Sequence, residues 1–211
     1  MVLRSSRGRP LNAPAAFIHP CQPIVAKQPP SGRGWAHELK HDGYRLQIHI
    51  RDRRVRLYTM NGADWSKRYP LIVRDAAKIK GSAIIDAEVV WLAAYGRSNF
   101  EALHSRANDA RASACAFDLL MRDGEDLRGK PYSERKALLL KVLRRSRKGL
   151  QYVEHTVGDG AKMFEAVCKL GLEGIVSKKL NAFYRSGPAR IWIKVKNPKA
   201  PAATRAQDGT F

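Results

Sequence analysis

From Trp35 onward, apolar and polar residues alternate in short runs. The runs at 35–40, 44–50 and 53–59 predict strands, because successive side chains of a strand point to opposite faces. Asp42-Gly43, Asp52-Arg53 and Asn61-Gly62 punctuate them as turns. Between Tyr69 and Ile79 the period changes: Leu71, Ile72, Asp75, Ala76 and Ile79 recur at helical spacing. Residues 83–92 return to a strand, with Asp86 and Glu88 on one face and Ile85, Ala87 and Val89 on the other. A short helix is predicted over Phe100 to Asn108, a strand over Ala112 to Leu120, and a turn at Asp123-Gly124. Pro131 fits the first turn of a helix reaching Arg145, its apolar face built from residues such as Ala137, Leu138 and Val142. A strand at Gln151 to Glu154, a helix at Ala161 to Leu170 stopped by Gly171, and strands at 173–179 and 191–196 complete the pattern. The sum is an α+β chain of antiparallel sheets flanked by helices.

Residues 1–30 break this rhythm. Pro10, Pro14, Pro20, Pro23, Pro29 and Pro30 interrupt any regular element, and no Asp or Glu occurs before Glu38. The segment 1–34 therefore reads as an extended basic arm that packs loosely. The body is expected at 35–198, with a short tail at 199–211.

Composition then narrows the partners. Across 211 residues, 39 Lys+Arg face 19 Asp+Glu, a net charge of +20, which favours a polyanion such as nucleic acid. The same charge suits a simple DNA-coating protein and does not specify chemistry. Cys21, Cys115 and Cys168 are odd in number and far apart, with no C-x-x-C pair, so neither a disulfide framework nor a structural zinc site is indicated, which fits a reducing cytosol. No run approaches the ~18 apolar residues of a membrane span, so no membrane partner is expected.

Candidate chemistry starts at Lys40-His41-Asp42-Gly43-Tyr44-Arg45, a lysine at a strand end followed by a tight acidic turn and an arginine. Lysine, with an ordinary pKa of ~10.4, is a poor nucleophile until its surroundings or a bound phosphate activate it. Arg45 offers a planar fork to ribose or phosphate oxygens. Glu88 and Glu173, on separate strands, are oxygen donors suited to Mg²⁺. Phe117 reads as core or as a stacking surface, and Lys178, Lys194 and Lys196 alternate as on a solvated face. A lysine, two acidic strands and convergent lysines are together what nucleotidyl transfer requires.

In these motifs the chain resembles the nucleotidyltransferase domain of ATP-dependent DNA ligases, especially the bacterial kind associated with double-strand-break repair. The resemblance runs from about Pro20 to Pro198. It rests on Lys40 to Arg45, Asp86-Ala87-Glu88, Phe117-Asp118-Leu119-Leu120, Glu173-Gly174-Ile175-Val176-Ser177-Lys178 and Trp192-Ile193-Lys194-Val195-Lys196. It implies the ATP-grasp-like fold of a ligase adenylation domain, with ATP and Mg²⁺ (or Mn²⁺) as cofactors. Lys40 would carry AMP. Glu38 would lie near the adenine and Phe117 would stack on it. Arg45 and Glu88 would contact ribose and phosphate, Glu88 and Glu173 the metal, and Lys194 and Lys196 the α-phosphate. The acceptor would be nicked or broken double-stranded DNA in the bacterial cytoplasm.

The sequence departs from that family at two places. Met60 stands in Thr59-Met60-Asn61-Gly62 where relatives commonly carry arginine, and the 13 residues after Pro198 are too few for a C-terminal oligonucleotide-binding (OB) barrel of five strands. A separate DNA-end-binding or OB-domain partner protein is one expected consequence. A catalytically degenerate, ligase-like DNA-binding protein and an RNA ligase or capping-type transferase stand as the alternatives.

Overall fold

The computed structural model describes residues 17–93, 97–144 and 148–200. Residues 1–16 of the expected arm, 201–211 of the expected tail, and Arg145 at the expected end of the second long helix lie outside them.

The chain builds two sheets. Sheet A contains β1 (Cys21–Val25), β2 (Trp35–Leu39), β9 (His155–Val157), β10 (Gly174–Lys179) and β11 (Gly187–Lys196), in the order β1-β11-β10-β2-β9. Sheet B contains β3 (Tyr44–Arg51), β4 (Arg54–Thr59), β5 (Ala83–Val90), β6 (Ser113–Arg122) and β7 (Glu125–Asp126), in the order β4-β3-β5-β6-β7. β8 (Leu150–Tyr152) adds to β6. Most neighbours run antiparallel, as expected, but β1 lies parallel to β11 and β8 parallel to β6. The α+β class holds.

Three apolar clusters separate these layers. Ile84, Val90 and Phe117 of sheet B meet Ala189 and Trp192 of sheet A between the sheets. The opposite face of sheet B, with Leu46, Ile48, Leu57 and Ile85, is covered by Ile72 and Ala76 of α1 (Pro70–Ala76) and by Leu139 of α3 (Tyr132–Val142). The outer face of sheet A, with Ile175 and Val195, is covered by α4 (Gly160–Lys169) through Val167, Met163 and Phe164. No helix among the described residues is long and apolar enough to cross a membrane.

Local chemistry sets the helix ends. Pro70 fills the first position of α1, where its missing N–H costs nothing. The Asn99 side chain caps α2 (Phe100–His104), which stops well short of Asn108; Arg106 turns to a φ of 62° just beyond it. Pro131 precedes α3 as its cap residue, and the first amides of that helix bond to the carbonyls of Ala182 and Leu180. The Asp159 carboxylate caps α4, and Gly171, at a φ of 66°, closes it as expected.

Two expectations require correction. The segment 17–30 is not a loose arm: Cys21–Val25 pairs with β11, because a parallel edge strand uses only part of its backbone for the ladder and tolerates Pro23 at a register shift. The face of α3 also differs. Ala137 is exposed and Leu138 and Val142 half-buried, whereas Tyr132, Arg135, Lys136 and Leu139 are buried. A charged inner face leaves this helix without a readable apolar stripe.

Candidate active site

Between the sheets opens a cleft of about 650 Å³, lined by residues from both. β2 delivers Glu38, Leu39 and Lys40 to its floor, β3 delivers Arg45, β5 Glu88, β6 Phe117, and β11 Trp192 and Lys194. β1 forms one wall. Six of the residues singled out from the sequence (Glu38, Lys40, Arg45, Glu88, Phe117 and Lys194) thus meet in one cavity. Glu173 joins them through Lys40. Lys196 is exposed at the end of β11, where its charge is felt by both Glu173 and Lys194.

The position of Lys40 follows from strand pairing. Leu39 lies opposite Ile175, and the Lys40 amide donates to the Gly174 carbonyl at 2.9 Å, so the lysine emerges beside Glu173. Its Nζ donates to Glu173 Oε1. Gly174 has a φ of 145°, and a Cβ there would sit 2.1 Å from the Val195 carbonyl oxygen. Only glycine lets β10 and β11 close this tightly behind the pair. Gly43 plays the same part after Lys40, because a Cβ would reach 1.9 Å from the Val89 carbonyl oxygen. The neighbouring His41 is half-buried, and desolvation lowers its pKa to about 4, so it is neutral at pH 7.

Glu88 and Glu173 are both pushed up. Burial is the main cause for Glu88, and Glu173 and Asp86 add to it; even with Lys40 and Arg45 opposing, its pKa reaches about 7. Burial raises Glu173 as well, against the pull of Lys40. Glu173 Oε2 is buried without a hydrogen-bond partner. An orphaned carboxylate oxygen beside a second destabilised carboxylate is a donor set that a divalent cation would relieve. Among the described residues no group of three or more His, Cys, Asp or Glu is arranged around a common point. The fit is therefore to a hard ion held by one or two carboxylates and completed by water and phosphate, the habit of Mg²⁺.

Arg45 is more heavily engaged than its position alone suggested. Its Nε and Nη2 grip both oxygens of Asp86 at 2.6 and 2.7 Å, and Nη2 also reaches the Cys21 carbonyl at 3.2 Å. The guanidinium lies 4.6 Å from the Phe117 ring centre and 5.5 Å from that of Trp192. Nη1 takes no part in these bonds and remains for a ligand.

Behind the cleft lies a charged cluster that alternation along single strands did not reveal. The Glu38 carboxylate forms ion pairs with Lys178 at 2.5 Å and Lys136 at 2.6 Å and accepts a hydrogen bond from the Tyr132 hydroxyl. Lys178 is 1% exposed. It is no solvated face residue: its Nζ lies 4.1 Å from the Phe117 ring centre and 4.3 Å from that of Trp192. The signal lay in the pairing of β2 with β10, which sets Glu38 opposite Val176, two residues from Lys178. Trp192 and Lys136 were likewise missed as parts of the site.

Burial alone would raise Glu38, but Lys136 and Lys178 outweigh it and hold its pKa at about 2 against an ordinary 4.5. The depressed value means that the ionised form stabilises the fold above about pH 4.5, and that this stabilisation is lost as pH falls toward 2. Acid titration of stability is expected to steepen below pH 4.5 in the native chain. Glu38→Gln, less stable at neutral pH, should flatten that limb, as followed by circular dichroism.

Residues 19–196 match the family model described as "ATP dependent DNA ligase domain". Among curated proteins, the Pseudomonas aeruginosa "Multifunctional non-homologous end joining protein LigD" is 38% identical over 185 residues, which cover 85% of this chain and 22% of that protein. The Bacillus subtilis "SPbeta prophage-derived DNA ligase-like protein LigB" is 30% identical, covering 86% of this chain and 68% of that protein. Among solved structures, a "mycobacterial DNA ligase D complexed with ATP and MES" superposes with a TM-score of 0.75 at 32% identity, covering 84% of this chain and 59% of the other. The ligase domain of Mycobacterium tuberculosis LigD gives a TM-score of 0.73 at 32% identity, covering 84% and 58%. The chain therefore spans about a fifth of the Pseudomonas protein's length and somewhat over half of each mycobacterial ligase structure.

Proposed function

This chain belongs to the ATP dependent DNA ligase domain family, and on that footing we propose that it transfers AMP from ATP to Lys40 and passes it to a DNA 5′-phosphate for strand sealing. The observation that carries the reading is the pairing of Lys40 with buried Glu173 on the floor of a cleft of nucleotide size.

In the first step the Lys40 Nζ lone pair forms a bond to the α-phosphorus. The bond from that phosphorus to the oxygen bridging to the β-phosphate breaks, and pyrophosphate leaves with the electron pair. Glu173 already accepts a hydrogen bond from Nζ, which puts its Oε1 in reach of the proton that the ammonium must lose. Lys194, whose charged form is disfavoured by burial and by Lys40 and Lys196, gains most from a phosphate oxygen at its tip. Lys196 adds charge at the cleft rim, Arg45 offers Nη1 to ribose or phosphate, and Phe117 gives the base an aromatic wall. Glu38, its carboxylate committed to the lysine cluster, fixes the strand that bears Lys40 and leaves its backbone to face the adenine. Glu88 and Glu173 would hold Mg²⁺ or Mn²⁺, which when bound offsets charge on the phosphates.

The second step needs nicked or broken duplex DNA as acceptor, in keeping with a net charge of +20. The names of its relatives point to end joining, and a separate DNA-end-binding or OB-domain protein is the proposed partner for sealing.

Incubation with ATP radiolabelled at the α-phosphate, plus Mg²⁺, should leave label on the denatured chain; an unlabelled native chain overturns the reading. Glu88→Gln should lower the labelling rate by about a hundredfold, the scale of removing one electrostatic interaction with a transition state. It should also raise the Mg²⁺ concentration for half-maximal labelling. A native Mg²⁺ response in that variant would remove Glu88 from the metal's ligands.

A further inference from the structure

Cations also gather away from the cleft, on the β3–β4 hairpin. Its register sets Arg51 opposite Arg54 and His49 opposite Arg56. Two-residue steps along β3 place Arg51 on the face of sheet B that carries Arg45, while Val55 and Leu57 point into the core on the other side. Arg51, Arg53, Arg54 and Arg56 are all exposed.

Two features of this hairpin oppose folding. Like charges sit directly across the ladder at Arg51 and Arg54, with Asp52 the single acidic residue among them. The turn also holds Asp52 and Arg53 at φ values of 49° and 65°, a geometry best suited to Asn-Gly. An arginine is a poor choice there for the fold alone. A polyanion held against the hairpin offsets the repulsion between the arginines.

The second strand of the hairpin leads past Tyr58 to the cleft. Met60, just past β4, lines the cleft. The chain then folds back at Asn61-Gly62, where the Thr59 amide bonds to the Ala63 carbonyl and the Trp65 amide to the Leu57 carbonyl. This return brings Lys67 beside Arg56, in a groove of about 710 Å³ shared with Arg106. Arg68 in the same groove is already committed, stacked 4.4 Å from the Trp65 ring centre and bonded to Asp109 at 2.7 Å. Lys67 and Arg106 are exposed.

We propose that this face of the β3–β4 hairpin, with Lys67 and Arg106, seats the sugar–phosphate backbone of duplex DNA leading to the cleft at Met60. The identity of the polyanion rests on the reading of DNA as the AMP acceptor. Asp64, 3.5 Å from Arg56, and Asp109, bonded to Arg68, are the carboxylates lining the groove; Arg51, Arg54, Lys67 and Arg106 supply the cations, which grip phosphates and read no sequence.

The test is fluorescence anisotropy of a labelled nicked duplex across a KCl series. It compares the native chain with the triple variant Arg51→Gln, Arg54→Gln, Lys67→Gln. The control triple variant Lys141→Gln, Lys162→Gln, Lys169→Gln removes the same charge from exposed positions on α3 and α4. Circular dichroism and thermal melts establish that each is folded. The hairpin variant should lose affinity at every salt concentration and flatten the log–log salt slope by about two to three, since each phosphate left unneutralised takes ~0.9 from the slope. The control should keep a near-native slope. An unchanged slope in the hairpin variant, an equal loss in the control, or no binding by the native chain overturns the seat. Radiolabelling of the native chain decides the adenylation reading separately: DNA binding through the hairpin with no label on Lys40 would leave the seat standing and that reading fallen.

Discussion

Lys40→Ala is expected to abolish covalent labelling by ATP radiolabelled at the α-phosphate, a loss of at least ~10³-fold as for removal of any covalent nucleophile. Lys40→Arg should be equally silent, because a guanidinium stays protonated and has no lone pair to give. The arginine variant keeps the positive charge beside Glu173, so its failure separates nucleophilic attack from simple charge balance. The fold should survive both, since Lys40 is a partly exposed cleft residue whose side chain, among the described residues, makes an ion pair only with Glu173. Label that persists in either variant, and is stable to denaturation, would place the acceptor on another residue.

The largest expected effect on stability lies at Arg135. Its Nε and Nη2 meet the two oxygens of Asp118 at 2.9 Å each, with both side chains fully buried. Its Nη1 donates to the Lys130 carbonyl at 2.7 Å and the Ala182 carbonyl at 3.2 Å. Arg135→Met leaves Asp118 charged, buried and unpaired, and should cost about 3–5 kcal/mol. Replacing both partners, as Arg135→Met with Asp118→Leu, should recover most of that loss, because the desolvation penalty leaves with the charges. Guanidinium unfolding midpoints check both. A double variant as unstable as the single one would show that the carbonyls of Lys130 and Ala182, not Asp118, depend on the arginine.

These two sites differ in how far the sequence foretold them. Strand alternation placed β2, β3, β5 and β6 within two residues of their observed ends, and the resemblance of their motifs, not the alternation, pointed Lys40, Arg45, Glu88 and Phe117 to one site. For β3, β5 and β6 periodicity works because each pairs with a strand nearby in sequence and packs one face on a core, and β2 keeps its alternation although its partners β9 and β10 are remote. What alternation does not show is a remote partner and the surroundings that partner creates. β1 carries Pro23 and joins β11 across more than 160 residues, so nothing local announces it. Lys178 has the spacing of a solvated lysine, and only the β2–β10 pairing turns it inward onto Glu38. α3 hides its inner face for a related reason. Arg135 and Lys136 are buried by partners on other elements, Asp118 and Glu38, and a hydrophobicity pattern counts both as surface.

The parallel strand β1 bears on where this domain can be trimmed. The Cys21 carbonyl accepts from Arg45, and the Cys21 amide donates at 2.8 Å to the Tyr184 hydroxyl, which in turn donates to Asp86. Gln47 bonds to the backbone of Ile18 as well. A minimal version cut to begin at Trp35, where regular alternation starts, would discard one wall of the cleft and the carbonyl anchor of the arginine within it. The segment that composition marks as dispensable is one wall of the cleft, and an economical version of the domain has to begin before Ile18.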